Sequence, residues 1–279
     1  MKLSYQTNTW GGVVGYPAGV TSVKDLFYLA YGSTVQALHE IANLGFQGFE
    51  LFDGNLMAYE SRKDDFRSLL RETGLKFVAV YTGANFIFSD ILPEELWRIQ
   101  KTAVLAAEFG VEYIIIGGGA LRATGRREDD FEKLAAGLSQ VDELARCYGL
   151  TACYHPHHGT LIETPEEISR IMELVSIDLC PDTGHIQEAG GDPVKIIQTY
   201  GSRIPYIHLK DYGNSDFLPL GQGFVDIEGI ILALNSIGYT GWITAELDTY
   251  SGPPKEAAEI AIRYLELITS SYIRSTQAG

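Results

Sequence analysis

Residues 154–163 read YHPHHGTLIE and hold three of the chain's six histidines, His155, His157 and His158, within four positions. So dense an imidazole tract is suited to metal binding or to proton transfer near neutral pH. Two other segments offer related chemistry. CPDTGH (180–185) sets the Asp182 carboxylate three residues before His185, with Gly184 expected to permit a tight turn back. IHLKD (207–211) alternates, so His208 and Lys210 share one face of an extended segment, and ITAEL (243–247) brings in Glu246 after an apolar run. A buried carboxylate without a counter-charge is costly. Asp182, His208 and Glu246 together form a mixed oxygen and nitrogen donor set. It suits Mn, Co, Mg or Zn and leaves positions for substrate oxygens.

Periodicity supplies the elements that must position these groups. Apolar or alternating runs predict strands over 2–8, 48–52, 76–81, 112–118, 151–155, 177–182, 205–211 and 242–247. Helical periodicity fills 33–44, 60–73, 93–109, 127–148, 164–174, 192–200, 226–237 and 254–270. Glycines close five of these helices, and TPEE (164–167) opens another with Pro at its first position. Eight strand–helix pairs predict an α/β chain folded as a single (β/α)8 TIM barrel over residues 1–279. An open doubly wound sheet would want a G-x-G-x-x-G turn at the first helix, and none is there. A barrel gathers its functional side chains at the C-terminal ends of the strands. Those ends carry Asn8, Glu50 with Asp53, Tyr81, residues 117–119, His155 with His157, Asp182 with His185, His208 with Lys210 and Asp211, and Glu246. His39 falls within a helix and reads as a surface residue.

Composition narrows the function classes. Hydrophobic residues make up 46% and charged residues 20%, which suits a soluble chain with a full core. A net charge of −15, with no Lys/Arg run longer than two, argues against a nucleic-acid partner. No apolar run approaches the roughly 20 residues of a membrane span, and no secretory apolar segment opens the chain. Cys147, Cys153 and Cys180 read as buried free thiols of a reducing compartment. The expectation is a cytoplasmic protein with a small-molecule substrate and neither a nucleic-acid nor a membrane partner; a homo-oligomer stays open.

DTGH (182–185), IHLKD, LGQGFVDIEGI (220–230) and GWITAELD (241–248) resemble the xylose-isomerase-like superfamily of sugar isomerases, epimerases and endonuclease-four-like barrels. YHPHHGTLIETPEEI (154–168) with DTGHIQEAGGDP (182–193) resembles its inosose dehydratase branch. The resemblance implies one divalent ion held by Glu, Asp, His and Glu from strands five to eight. Asp182, His208 and Glu246 match three of these. Strand five instead carries Cys153 and His155. Glu163, looping back, is the preferred fourth ligand because carboxylates suit hard metals, and His155 is its competitor. Mn2+ is the expected ion, with Co2+, Mg2+ or Zn2+ as alternatives.

An ion chelating a ketone and its neighbouring hydroxyl would acidify the α-C–H and stabilise an enediolate. Proton return elsewhere gives isomerisation, return to the other face gives epimerisation, and loss of a β-leaving group gives dehydration. His155 and His157 are candidate bases, His185 a second acid–base, and Lys210 an oxyanion stabiliser or proton donor. Glu50 and Asp53 are candidates for distal hydroxyls, with Trp10, Tyr81 and Phe86 as substrate-facing rings. Structural alternatives stand beside these: Glu50 in an interior salt bridge, Lys210 paired with Asp211 or Glu246, and the 117–127 glycine–arginine stretch as a tight loop rather than a phosphate cradle. The expected function is a divalent-metal-dependent lyase or isomerase of a keto-sugar or keto-polyol, inosose dehydratase-like. The alternatives are a ketose or sugar-phosphate 3-epimerase, a 3-keto-glycoside (C-glycoside) lyase, an endonuclease-four-like repair enzyme and a non-catalytic sugar-binding barrel.

Overall fold

The computed structural model describes residues 1–10 and 27–276, with side chains as far as residue 269. In chain order its strands are β1 (Lys2–Gln6), β2 (Gly48–Phe52), β3 (Lys76–Ala84), β4 (Tyr113–Gly118), β5 (Thr151–Tyr154), β6 (Asp178–Leu179) and β7 (Tyr206–Leu209), then β8 (Asp211–Gly213), β9 (Asp216–Leu218) and β10 (Trp242–Ala245). β8 and β9 form a small antiparallel hairpin. The other eight make one parallel sheet in the order β6-β5-β4-β3-β2-β1-β10-β7. Its two edges meet where Asp182 bridges His208 and the His208 N–H donates to the Pro181 carbonyl at 3.0 Å, which closes the barrel. The seam therefore passes through two of the expected metal donors.

The helices are α1 (Thr34–Asn43), α2 (Asp53–Met57), α3 (Lys63–Thr73), α4 (Leu92–Glu108), α5 (Asp130–Cys147), α6 (Pro165–Leu174), α7 (Thr183–Glu188), α8 (Pro193–Tyr200), α9 (Ile227–Ser236) and α10 (Pro254–Thr276). Eight match the sequence expectation closely, although α10 runs further. α2 and α7 are single short turns with too few residues to show a period. α6 begins with a full capping box between Thr164 and Glu167, and α3 ends at Gly74 in the left-handed conformation, φ 67°. Among the described residues, no helix is long and apolar enough to cross a membrane.

Strand alternation sorts the core. On β4, Ile114 and Ile116 pack outward against the helices, while Ile115 joins Cys153, Cys180, Tyr206 and Trp242 inside the barrel. Cys153 and Cys180 are buried free thiols as expected, but Cys147, at the end of α5, is exposed. Phe86 is core rather than a sugar platform. Its ring packs so closely on α5 that a Cβ on Gly137 would lie 2.5 Å from it.

Asp53 opens α2 and faces inward. Its Oδ1 accepts from the Tyr28 and Gly54 N–H groups, both at 2.8 Å, and its Oδ2 accepts from the Thr82 hydroxyl at 2.7 Å. It ties the segment from residue 28 onto the barrel and has no role at distal hydroxyls. Burial pushes its carboxyl from an ordinary 3.8 to about 7. Between roughly pH 4 and 7 the unfolded chain has then lost a proton that the folded chain keeps, so this group's stabilisation falls as pH rises through that window. The loss is at most roughly 4 kcal/mol. Urea unfolding across this range should show a steeper decline for the native chain than for Asp53→Asn. Parallel curves would remove Asp53 from the account.

Candidate active site

Asp182 follows β6 and caps α7. Its Oδ1 accepts from the N–H groups of Gly184 at 2.8 Å and His185 at 3.0 Å, and its Oδ2 faces the Lys210 ammonium at 3.1 Å. Gly184 is required for closeness rather than for an unusual turn. A Cβ there would lie 2.8 Å from the Lys210 Cγ. His208, on β7, is held between two carboxylates: Nε2 lies 2.9 Å from Glu50 Oε2, and Nδ1 lies 2.6 Å from Glu246 Oε2. Glu50 is fully buried and also accepts from Gln6 Nε2 and the Tyr206 hydroxyl, both at 2.7 Å. Its acceptors are thus used inside the barrel, where they orient the His208 ring, and it does not serve distal hydroxyls. A carboxylate on the far nitrogen of a metal-binding imidazole fixes both tautomer and direction.

Asp182 Oδ2, His208 Nδ1 and Glu246 Oε2 are buried and, among the described residues, face one another and Lys210 only as ion pairs, with no further hydrogen-bond partner. His208 Nδ1 and Glu246 Oε2 lie 2.6 Å apart as a buried ion pair. The three residues offer donor atoms that all lie within 4.8 Å of one another. A cluster of two carboxylates and an imidazole this close, with Asp, His and Glu donors, fits a divalent cation. These groups are also charge partners of one another, and a bound cation would replace the proton on His208 Nδ1. Burial alone would lower His208, but Glu50 and Glu246 hold its imidazolium well above the usual range. Burial lifts Asp182 to about 6 against the pull of Lys210. Glu246 is opposed by its burial yet held well below the ordinary carboxylate range by Lys210 and His208.

Lys210 is fully buried beside this triad. Its Nζ lies 3.1 Å from Asp182 Oδ2, 3.1 Å from Asp248 Oδ1, 3.5 Å from Glu246 Oε1 and 3.1 Å from His185 Nε2. Burial would lower it, but the carboxylates of Asp182, Asp248 and Glu246 keep it charged, well above its ordinary value. Asp211 does not pair with it. Its carboxylate accepts from the N–H groups of Tyr212, Gly221, Gly223 and Val225 and so folds the loop that leads to α9.

Three imidazoles stand over these groups. The His155 ring centroid is 4.7 Å from that of His208 and 5.9 Å from that of His185, and His157 and His185 are 3.9 Å apart. Burial lowers the pKa of all three, so they are neutral near pH 7. His157 Nδ1 donates to the His158 carbonyl at 2.8 Å, which leaves its Nε2 lone pair available. Tyr81 packs edge-on against His155 at 5.5 Å and stays a wall of the site.

The sequence profile of the xylose isomerase-like TIM barrel matches residues 38–268. The chain belongs to that family. The inosose dehydratase of Geobacillus kaustophilus is 30% identical over 269 residues, covering 83% of this chain and 86% of that protein. Among solved structures, the IOLI protein with a bound zinc atom superposes with a TM-score of 0.77 at 18% identity, covering 98% of this chain and 99% of that one. D-psicose 3-epimerase from Clostridium cellulolyticum H10, with D-tagatose, gives a TM-score of 0.74 at 18% identity, covering 96% and 99%. At such identities these two likenesses speak for the fold. Family membership, with relatives of this kind, makes the chain a sugar-modifying enzyme.

Against this xylose isomerase-like frame, two sequence expectations need correction. Glu163 does not reach the triad. It accepts from the Gly159 N–H at 2.5 Å and lies 3.2 Å from His158 Nδ1, because the loop after β5 folds back on itself. Its competitor His155 is the residue brought beside His208, and with Cys180 the two offer donor atoms within 4.8 Å of one another. Trp10 does not face the mouth. Its indole N–H donates to Glu40 on α1 at 2.8 Å, and its ring meets Tyr5 edge-on. The 117–127 stretch behaves as a loop: Arg122 is bound to Asp130, and Arg126 to Glu167. His39 lies at the surface, 3.9 Å from Glu72.

Sequence reasoning missed several residues of the site. Tyr206 and Asp248 each sit two positions from a candidate ligand, so the period-2 rule that placed His208 and Glu246 would have found both. Gln6, two after the inward-facing Ser4, is the same case. Glu188, 3.8 Å from His185 Nδ1, comes within reach only because α7 is helical. A cavity of 620 Å³, lined by Tyr28, Gly83, Asn85, Arg98, Gly119 and Thr160 among others, opens at the ends of β3 and β4, and no residue of the triad lines it.

Proposed function

We propose that this chain is a divalent-metal-dependent lyase that dehydrates a keto-polyol of the inosose type. The observation carrying this reading is the clustering of the buried Asp182, His208 and Glu246 donors beneath three neutral imidazoles and beside a buried ammonium. Asp182, His208 and Glu246 would hold the ion, with His155 as the fourth donor. Mn2+ is the favoured ion for this donor set, with Co2+, Mg2+ or Zn2+ as alternatives. When bound, the ion supplies Lewis acidity toward a ketone and its neighbouring hydroxyl. His157 takes the α-proton at Nε2, the lone pair left free by its bond to His158. Lys210, fixed as an ammonium, hydrogen-bonds the oxygen on which negative charge develops. His185 accepts from Lys210 and holds it in place. The His157 imidazolium returns its proton to the departing β-hydroxyl, which leaves as water, so no external oxidant or reductant is needed.

A 3-epimerase reading draws on solved neighbours of that kind. The resemblance gives such enzymes a carboxylate base on strand five, where this chain has Cys153 and His155. Incubation with a keto-inositol in deuterated water separates the readings. Dehydration predicts a growing enone absorbance with about one divalent ion per chain. Deuterium uptake without the enone would transfer the site to epimerisation or isomerisation. Metal-loaded protein that does neither would end the keto-polyol reading. His155→Ala should lose the ion; an ion retained while proton exchange stops would make His155 the base instead.

A further inference from the structure

Among the described residues, two buried acceptors next to the triad have no hydrogen-bond partner. Asn8 follows β1 in a short 3-10 turn (Thr7–Trp10), and Asp248 follows β10, the strand paired to β1. Both are buried, at 0% and 1% exposure. The Asn8 amide orientation is determined, because its Nδ2 donates to two carboxylates: Glu246 Oε1 at 2.9 Å and Asp248 Oδ1 at 3.4 Å. Its Oδ1 must therefore point away from both. Asp248 Oδ1 is taken by Lys210 Nζ at 3.1 Å and by Asn8. Asn8 Oδ1 and Asp248 Oδ2 are left without a hydrogen-bond partner. A fold that buries two acceptors unpaired loses stability unless something else supplies the donors. Lys210 Nζ, which binds the other Asp248 oxygen, already faces Asp182, Glu246 and His185 as well.

We infer that Asn8 and Asp248 form an acceptor-only subsite for a donating hydroxyl of the substrate, and that they determine which hydroxyl the enzyme requires. This rests on the keto-polyol reading above. The subsite adjoins the metal donors through Glu246, whose Oε2 belongs to the triad and whose Oε1 is bound by Asn8. A free hydroxyl has one proton and donates it to one of these acceptors at a time. An ether, a phosphate ester or a glycosidic oxygen at the same position has no proton to give and meets a carboxylate oxygen. The substrate class is accordingly a polyol that is unphosphorylated and unglycosylated at that position.

The test uses a cyclohexane hexol, which lacks the reactive ketone, and its six mono-deoxyfluoro analogues. Fluorine keeps roughly the size of the hydroxyl and removes the proton. Binding to the metal-loaded native chain is measured by calorimetry. The expected result is that one position, and not the others, loses roughly 10- to 100-fold in affinity, the range of a hydrogen bond to a charged group. In Asp248→Asn the amide N–H can face the fluorine, so the gap at that position should close to within about threefold. Asp248→Ala, which adds no donor, should weaken the hexol and close the gap as well. Failure of the hexol to bind, a native series flat within twofold, or a gap unchanged in both variants would overturn the subsite. If the gap is present while no keto-polyol is turned over, the subsite stands and the dehydratase reading falls. If enone forms but the series is flat, only the subsite falls.

Discussion

Glu246→Gln should leave a folded barrel that no longer retains its divalent ion and has lost about three orders of magnitude or more in kcat/KM. The substitution keeps shape and removes one charge. Three partners respond. The ion loses a carboxylate donor and retains Asp182 and His208 from the triad. Lys210 loses one of the carboxylates that hold it charged, and His208 loses the group 2.6 Å from its Nδ1. Glu50→Gln is the instructive contrast. It leaves every triad donor present and weakens only the group that orients His208, so the ion should be held roughly 10- to 100-fold more loosely with activity partly restored by excess metal. Metal analysis of the purified variants, followed by kinetics at rising metal concentration, checks both. Full metal occupancy and near-native activity in Glu246→Gln would show that the ion is held elsewhere.

Lys210→Met should be the most damaging single change to the charge balance of the mouth. It removes the ammonium that faces Asp182, Glu246 and Asp248 and substitutes a side chain of similar length. Deleting one partner of a buried ionic cluster typically costs about 3–5 kcal/mol, because the remaining charges are left uncompensated. Catalysis loses a preorganised donor as well, worth roughly 100- to 1,000-fold in kcat. On the proposed reading a divalent ion would be held by two of the same carboxylates, Asp182 and Glu246, so the stability loss should shrink at saturating metal while the kcat loss persists. Thermal unfolding with and without metal, paired with steady-state kinetics, separates the two effects. Lys210→Arg should not restore activity. Gly184 already packs tightly against the lysine stem and Phe217 lies over the ammonium, so a planar guanidinium has no matching space. A Lys210→Met chain with native kcat would assign Lys210 a purely structural role.

These two expectations draw on different sources. That Asp182, His208 and Glu246 belong together was legible from residue order. Each follows a strand-like run, and a parallel barrel brings all such ends to one face. The eight helices were legible for the same kind of reason: their period, their glycine stops and the Thr164–Glu167 cap are written within a few residues. The charge environment of Lys210 was legible only in part. Glu246 was a foreseen partner, but Asp248 was passed over, and Asp211 was diverted to four backbone N–H groups of a loop whose path no local pattern announces.

The sequence by itself determined the barrel, the face on which the ionisable side chains gather and the proximity of Asp182, His208 and Glu246, because strand alternation, helix periodicity and capping act over a few residues. Only the tertiary structure decided which charge pairs with which. Glu50 turned inward to His208 and Tyr206, more than 150 positions away. Asp53 became a latch for residue 28, and Trp10 was drawn to Glu40. Glu163 spent its carboxylate on the Gly159 N–H while His155 moved beside the triad. The partner of a buried polar group is set by what barrel closure brings within about 3 Å of it, and that distance depends on every strand at once.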